Sequence, residues 1–272
     1  MNRQDFFNSN GYWIGPTSIL SSQELAEYRQ SMDNIMNHQY ESGREPMAGR
    51  NWPAREDMLG LVQINNAWWA GGAIRRLSLD SRIGEIATEL LQANGVCMWH
   101  DQLLYKPPAK SKTMAGNIGW HQDWNYWQVC DQADLITAWV ALDDVTIENG
   151  AMMIISGSHR WGQAMKASDR TLNMEKTASK VKIPEGGKWE IAHCELKAGG
   201  ISFHHAKTVH GSGPNQSTQP RLGLAIHLVA DHVRYTTQGE HSHSNLKVCP
   251  RQEGDLFRGH QHPVIWQHSS EQ

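Results

Sequence analysis

Cysteine is scarce and scattered. The 272 residues hold only Cys97, Cys130, Cys194 and Cys249, with no pair at zinc-ribbon spacing and too few for a disulfide-stapled scaffold. They read as reduced thiols of a cytoplasmic protein. Long apolar runs are also missing. None reaches the roughly 18 residues that a membrane-spanning helix needs, and mean hydropathy is −0.58. The opening MNRQDFFNSN lacks the basic-then-apolar order of a secretory signal. There is no basic excess: 25 Lys and Arg against 28 Asp and Glu give a net charge of −3. Such a surface has no field to hold a phosphate backbone, so nucleic acid is not expected as the main partner.

Two residue types are abundant instead, with 12 Trp and 15 His. Both are common in ligand pockets, and His is the commonest metal-binding side chain. The chain shows no internal repeat, low-complexity tract or Pro/Gly-rich linker, so residues 1–272 are expected to form one domain. Oligomeric state is not legible in the sequence.

The N-terminal third reads as helical. Ser21 and Glu24 have capping-box spacing, and a helix is predicted from there to about His38. Residues 43–60 read as loop. A second helix is predicted over Ser81–Asn94, ended by Gly95, with Ile83, Ile86, Ala87, Leu90 and Leu91 on one stripe. From Val96 the pattern changes to short apolar or alternating runs. CMWHDQLLYK, GWHQDWNYW, ADLITAWVALDD, AMMIISGS, ISFHHAKTVH and RLGLAIHLVA are bounded by Pro-Pro, Asn-Gly, Gly-Gly and GSGPNQ. Regular short strands with turn punctuation point to an antiparallel sandwich or barrel. The last forty residues are polar and His-rich. The pairs His241/His243 and His260/His262 read there as a solvated tail, since no third ligand is spaced to join them.

His121 and Asp123 are separated by one residue. On a strand, positions i and i+2 share a face, which presents an imidazole and a carboxylate to one point. His210 follows about ninety residues later. Eleven residues beyond it stands Arg221, which shares one face of its strand with Gly223 and Ala225, while Leu222, Leu224, Ile226 and Leu228 share the other. A guanidinium with small neighbours opposite an aliphatic wall marks an interior pocket. A buried Arg needs an anionic partner, and a bound carboxylate would satisfy it bidentately. Two His and one carboxylate, leaving three positions open, is the donor set of non-haem Fe(II) oxygenases. Its open positions admit a bidentate 2-oxo acid and then O2. No Cys is placed to turn the site toward structural zinc.

The sequence resembles the phytanoyl-CoA dioxygenase family of Fe(II)/2-oxoglutarate oxygenases, which includes ectoine hydroxylase-like enzymes. The matching pieces are NGYWIG near the start, DQLLYKPP (101–108), WHQD (120–123), the Trp139 strand, ENG (148–150), ISGSHR (155–160), HGSG (210–213) and Arg221. The resemblance implies a mainly β fold, a double-stranded β-helix or jelly-roll, cupin-like barrel with flanking α-helices on its N-terminal side. Its parts would be a helical 1–95, a barrel core over 96–235 and a polar extension over 236–272. It implies His121, Asp123 and His210 as iron ligands. Arg221 and Ser212 would hold the far carboxylate of 2-oxoglutarate, and Trp139 and Leu103 would line that co-substrate. Family halogenases lack the metal carboxylate, so Asp123 favours hydroxylation-type chemistry.

The implied activity is hydroxylation of a C–H bond in a small polar metabolite, such as an amino acid, aminophosphonate or natural-product intermediate, coupled to conversion of 2-oxoglutarate and O2 into succinate and CO2. Three alternatives stay open: a non-catalytic cupin-like binding protein, a zinc hydrolase on the same barrel, and desaturation or ring closure by the same iron site. Trp124, Tyr126 and Trp127, which follow the metal pair directly, are candidates for a substrate wall that a cation would contact through its rings. His205 is a further substrate-facing candidate, although a core or surface role is the plainer reading for it and for His204. His159 reads as structural.

Overall fold

The computed structural model describes residues 2–52, 60–108, 116–169, 171–239, 243–247 and 250–269. The N-terminal part is helical. Helix α1 (Arg3–Asn10) is followed by the short strand β1 (Tyr12–Ile14) and by α2 (Ser22–Met36). The Ser21/Glu24 capping box is present: the Ser21 hydroxyl accepts from Glu24 N, and the Glu24 carboxylate accepts from Ser21 N. Such a cap contributes about 1 kcal/mol. Strand β2 (Val62–Asn65), α3 (Gly72–Ser78) and α4 (Ser81–Leu91) complete this part.

Helix α4 stops three residues short of its predicted end. Gln92 adopts a left-handed conformation (φ 54) and closes the helix. Gly95 does not cap it but opens the next strand. Helices α1 and α3 had no expectation; α1 is polar, and α3 is only seven residues long. Part of the loop expected over 43–60, residues 53–59, lies outside the described residues.

The rest is two antiparallel sheets. Their strands are β3 (Gly95–Lys106), β4 (Ile118–His121), β5 (Leu135–Ala141), β6 (Met152–Ile155), β7 (Ile191–Cys194), β8 (Ile201–His205), β9 (His210–Ser212), β10 (Arg221–Ala230) and β11 (Val264–Gln267). A short helix, α5 (Met174–Ala178), precedes β7. The larger sheet runs β1-β8-β5-β10-β3-β11, with β2 also on β3; the smaller runs β4-β9-β6-β7. Each observed pairing is antiparallel.

Alternation along the larger sheet divides the protein. Outward residues Met98, Leu103, Ile136, Ala138, Val140, Phe203, Leu224, Ile226 and Leu228 form one buried apolar cluster with Met32 and Ile35 of α2, Ile74 and Leu77 of α3, and Ile83, Ala87 and Leu90 of α4. Burying each such aliphatic side chain contributes about 1.5–3 kcal/mol. The opposite face looks into a cavity closed by the smaller sheet.

The C-terminal part departs from its expected form. Residues 264–267 pair as β11 with β3 at Gly95–Cys97. His262 is fully buried, its Nδ1 2.9 Å from Met98 O and its ring stacked 5.4 Å from Trp99. The indole of Trp99 needs an apolar cover, and His262 supplies it. His241 and Cys249 lie outside the described residues.

Candidate metal and co-substrate site

Strand β4 ends at His121. Gln122 remains extended, and Asp123 opens a single 3-10 turn, Asp123–Tyr126. Imidazole and carboxylate therefore meet at a strand end rather than along a strand. His210 opens β9 and pairs directly with His121 across the smaller sheet. It lies beyond a turn that follows β8, not at the end of one continuous strand. Among the described residues, His121, Asp123 and His210 are the one group of three or more His, Cys, Asp or Glu whose ligand atoms lie within 4.8 Å of one another, and all three are buried.

Hydrogen bonds aim these atoms. His121 Nδ1 is 2.9 Å from Gly119 O, and His210 Nδ1 is 2.9 Å from Thr208 O. Each Nδ1 donates to a carbonyl, so each neutral ring turns an Nε2 lone pair inward. Those Nε2 atoms sit 3.6 and 3.8 Å from Asp123 Oδ1. Three electron-pair donors thus face one point with no proton to share, an unfavourable array until a cation enters. The chemistry of the donor set fits Fe(II). Burial, then the neighbouring His121 and His204, keeps His210 far below the usual imidazole range and so neutral. Burial opposes ionisation of Asp123, but the hydrogen bond with His204 favours it, and the carboxyl lies well below its usual range.

The second oxygen of Asp123 is fixed from behind. Thr137 Oγ1 donates to Oδ2 at 2.9 Å, and His204 Nε2 approaches it at 3.2 Å. Neither was assigned from the sequence. For His204 the signal was parity: Ser202 and His204 share a face of β8, which leaves His205 on the other. His205 does not line the cavity; its Nδ1 accepts from Lys207 N at 3.0 Å.

Beyond the metal triad the cavity, about 420 Å³, extends to a cationic end. Arg221 is 2 % exposed, and its guanidinium donates to Gly150 O at 2.8 Å and lies 5.0 Å from the ring centroid of Trp139. Its Nε is buried without a partner. Among the described residues no carboxylate lies within ion-pair reach of it. Burial brings its pKa down to about 10.

Lys106 is a second buried cation. It pairs with Arg221 in the β3/β10 register, and its Nζ donates to Ser212 Oγ and to Gly213 O, both at 2.6 Å. Burial, then the charges of Arg221 and Arg50, pushes its pKa well below normal. The sequence showed Lys106 only as a strand end. A lysine closing an apolar strand was the available signal, but its register against Arg221 was not visible. Two buried cations with no acid among them form a site for an anion. Gly223 leaves room for Trp139: a Cβ there would lie 2.4 Å from the indole.

Ser212 and Trp139 line this cavity, as do Tyr126 and Trp127. Leu103 does not. Alternation along β3 sends His100, Gln102 and Leu104 inward, while Leu103 packs against the helices. Trp124 also lies off the cavity lining and packs beside Lys207, whose Nζ is 5.6 Å from its ring. His159 bonds Asn8 O at 3.1 Å and ties the smaller sheet to α1.

Residues 7–223 match the family model described as Phytanoyl-CoA dioxygenase (PhyH). A probable alpha-ketoglutarate-dependent hypophosphite dioxygenase from Stutzerimonas stutzeri is 30% identical over 177 residues, 62% of this chain and 57% of that protein. The phytanoyl-CoA dioxygenase of Arabidopsis thaliana is 23% identical over 253 residues, 83% and 87% of the two chains. The match to the peroxisomal human enzyme of that name spans 47% of its length. Among solved structures, the alpha ketoglutarate dependent carbocyclase SnoK from nogalamycin biosynthesis superposes with a TM-score of 0.73 at 22% identity, covering 97% of this chain and 95% of that one. The epimerase SnoN in complex with Fe3+, alpha ketoglutarate and nogalamycin RO also gives 0.73 at 22% identity, covering 97% of both chains. At this identity the likeness is one of fold.

Proposed function

This chain belongs to the phytanoyl-CoA dioxygenase family, and on that premise we propose that it is an Fe(II)- and 2-oxoglutarate-dependent dioxygenase built on a double-stranded β-helix. The observation that carries the reading is one cavity whose wall holds both a neutral two-imidazole, one-carboxylate triad and the buried Arg221, with Lys106 behind the wall bonded to its Ser212. Each half fits one end of a metal-bound 2-oxo diacid.

His121, Asp123 and His210 would hold the iron, with the Asp123 carboxylate oriented by Thr137 and His204. Arg221, Lys106 and Ser212 would bind the remote carboxylate, and the wall of Trp139 would exclude water from it. Ferrous iron with 2-oxoglutarate and O2 supplies the oxidant for C–H cleavage, the diacid leaving as succinate and CO2. The protein's own contribution is position, desolvation and charge.

Hydroxylation of a small polar metabolite fits a cavity of this size with imidazole and amide side chains on its wall. Ring closure is the alternative outcome, since a carbocyclase shares the fold. Succinate formation from 2-oxoglutarate under air, dependent on Fe(II), tests the proposal. Stabilisation by 2-oxoglutarate without any turnover would favour a non-catalytic binding protein.

A further inference from the structure

The cavity wall carries three imidazoles that the metal triad does not use. His100 of β3 and His227 of β10 are register partners, with ring centroids 4.3 Å apart. His243, from the C-terminal part, lies 4.8 Å from His100 on the same wall. Trp127 closes the side of the row, its ring 4.9 Å from His227 and 5.9 Å from His100. These three are not a second metal centre, because among the described residues their nitrogens do not form a convergent group as those of the triad do. His100 Nε2 and His227 Nε2 are nevertheless buried with no hydrogen-bond partner. A buried polar atom left so costs about 1–3 kcal/mol, which a ligand would recover.

The surrounding bonds fix what two of these rings offer. Thr137 has one proton, and it goes to Asp123 Oδ2, since a carboxylate only accepts. Thr137 Oγ1 must then accept from His227 Nδ1–H, 2.8 Å away. The neutral ring of His227 therefore presents a bare lone pair at Nε2. His243 is set the other way: its Nδ1 accepts the backbone N–H of Asn245 at 3.2 Å, which leaves Nε2–H as a donor. Burial keeps both rings neutral, with His227 at about 4 and His243 at about 3.

We propose that the His100–His227–His243 wall is the substrate-recognition surface of this site, and that it selects a hydroxyl or primary amide, a group that donates to His227 Nε2 while accepting from His243 Nε2–H. An ammonium offers only donors there, and a carboxylate or ether only acceptors. Trp127, packed edge-on by two of the imidazoles, closes this surface rather than seating a cation. The inference rests on reading the same cavity as the iron and 2-oxoglutarate site.

The test uses the full chain carrying 15N-labelled His, loaded with Zn(II) and 2-oxoglutarate. Long-range imidazole spectra report the tautomers, with H227Q and H243Q assigning the resonances. The probes are 1,2-propanediol and its dimethyl ether, 1,2-dimethoxypropane. The expected result is His227 protonated at Nδ1 and bare at Nε2, and His243 protonated at Nε2, with the diol moving the His227 Nε2 resonance upfield and the ether leaving it in place. A proton on His227 Nε2, or an equal response to both probes including none, overturns the proposal. A melting-temperature rise on adding Zn(II) with 2-oxoglutarate is read in the same samples, so failure of the iron and co-substrate reading is seen separately from failure of this one.

Discussion

The outer face of β10 carries Leu224, Ile226 and Leu228, each with no solvent exposure, against the helices. Its inner face carries Arg221, Ala225 and His227 toward the cavity. One strand thus serves two regions with opposite demands. The outer region is held by volume, and its aliphatic side chains stabilise the fold whether or not anything is bound. The inner region buries two cations and several imidazoles whose nitrogens lack partners, so it weakens the apo-protein and becomes favourable only with ligands in place. Function and stability are separated by the two-residue period of a β-strand.

That separation breaks most visibly at the metal. Asp123→Ala is expected to lower 2-oxoglutarate turnover by at least about 10³-fold, or about 4 kcal/mol, while leaving the melting temperature near that of the parent. Turnover and calorimetry on one preparation check both halves; full activity in this variant contradicts the ligand assignment.

On the outer face the pattern inverts. Ile226→Ala leaves a cavity in the helix-side core and is expected to cost about 3.5 kcal/mol of stability, within the usual range of about 2–5, with 2-oxoglutarate affinity unchanged in the folded fraction. Urea unfolding measures the first and calorimetric titration the second.

Acid separates the two faces without mutation. The ring of His227 is held at about 4 by burial, which outweighs the attraction of Asp123, whereas an unfolded imidazole titrates near its model value of 6.5. Below 6.5 the unfolded chain binds a proton that the native state refuses, so stability is expected to fall as pH drops from about 6.5 to 4. For this one ring the loss is about 3 kcal/mol. Denaturant midpoints of metal-free protein at pH 7, 6 and 5 should show the decline, and His227→Gln should make it shallower, the other buried imidazoles keeping the rest. An Ile226→Val variant should keep the parental slope.

The mildest expected effect is at Lys106. Its ammonium is buried beside Arg221 with only neutral acceptors. Lys106→Met should raise the apo-protein's melting temperature, a gain of about 1–2 kcal/mol, and weaken 2-oxoglutarate binding about tenfold. A variant that lost stability as well would mean that the cation is already compensated in the empty cavity.

The same two-residue period explains what the sequence made legible. The Ser21–Glu24 cap, the α4 stripe and the aliphatic side of RLGLAIHLV are local patterns, and each is where its spacing placed it. Parity was also sufficient to extend Arg221, Gly223, Ala225 to His227, and with one inward residue known it would have chosen His204 over His205 and Leu104 over Leu103. Those choices needed a known starting face on each strand, which the sequence supplied for β10 alone. Lys106 acts through Ser212, 106 positions away, and Thr137 through Asp123, 14 positions away, relations set by register rather than by spacing. His260 is exposed as expected, but His243 and His262 looked solvated because their cover, Trp99, lies about 150 residues upstream.

Anaerobic reconstitution with Fe(II) followed by 2-oxoglutarate tests the central claim most directly, through the weak visible charge-transfer band of a 2-oxo acid chelated to ferrous iron. Wild-type protein should develop the band, Asp123→Ala and His210→Ala should not, and Arg221→Met should require far more 2-oxoglutarate to reach it. Wild-type protein that binds both components without the band, or a band of unchanged strength in the Asp123 and His210 variants, would show that these side chains do not hold the iron.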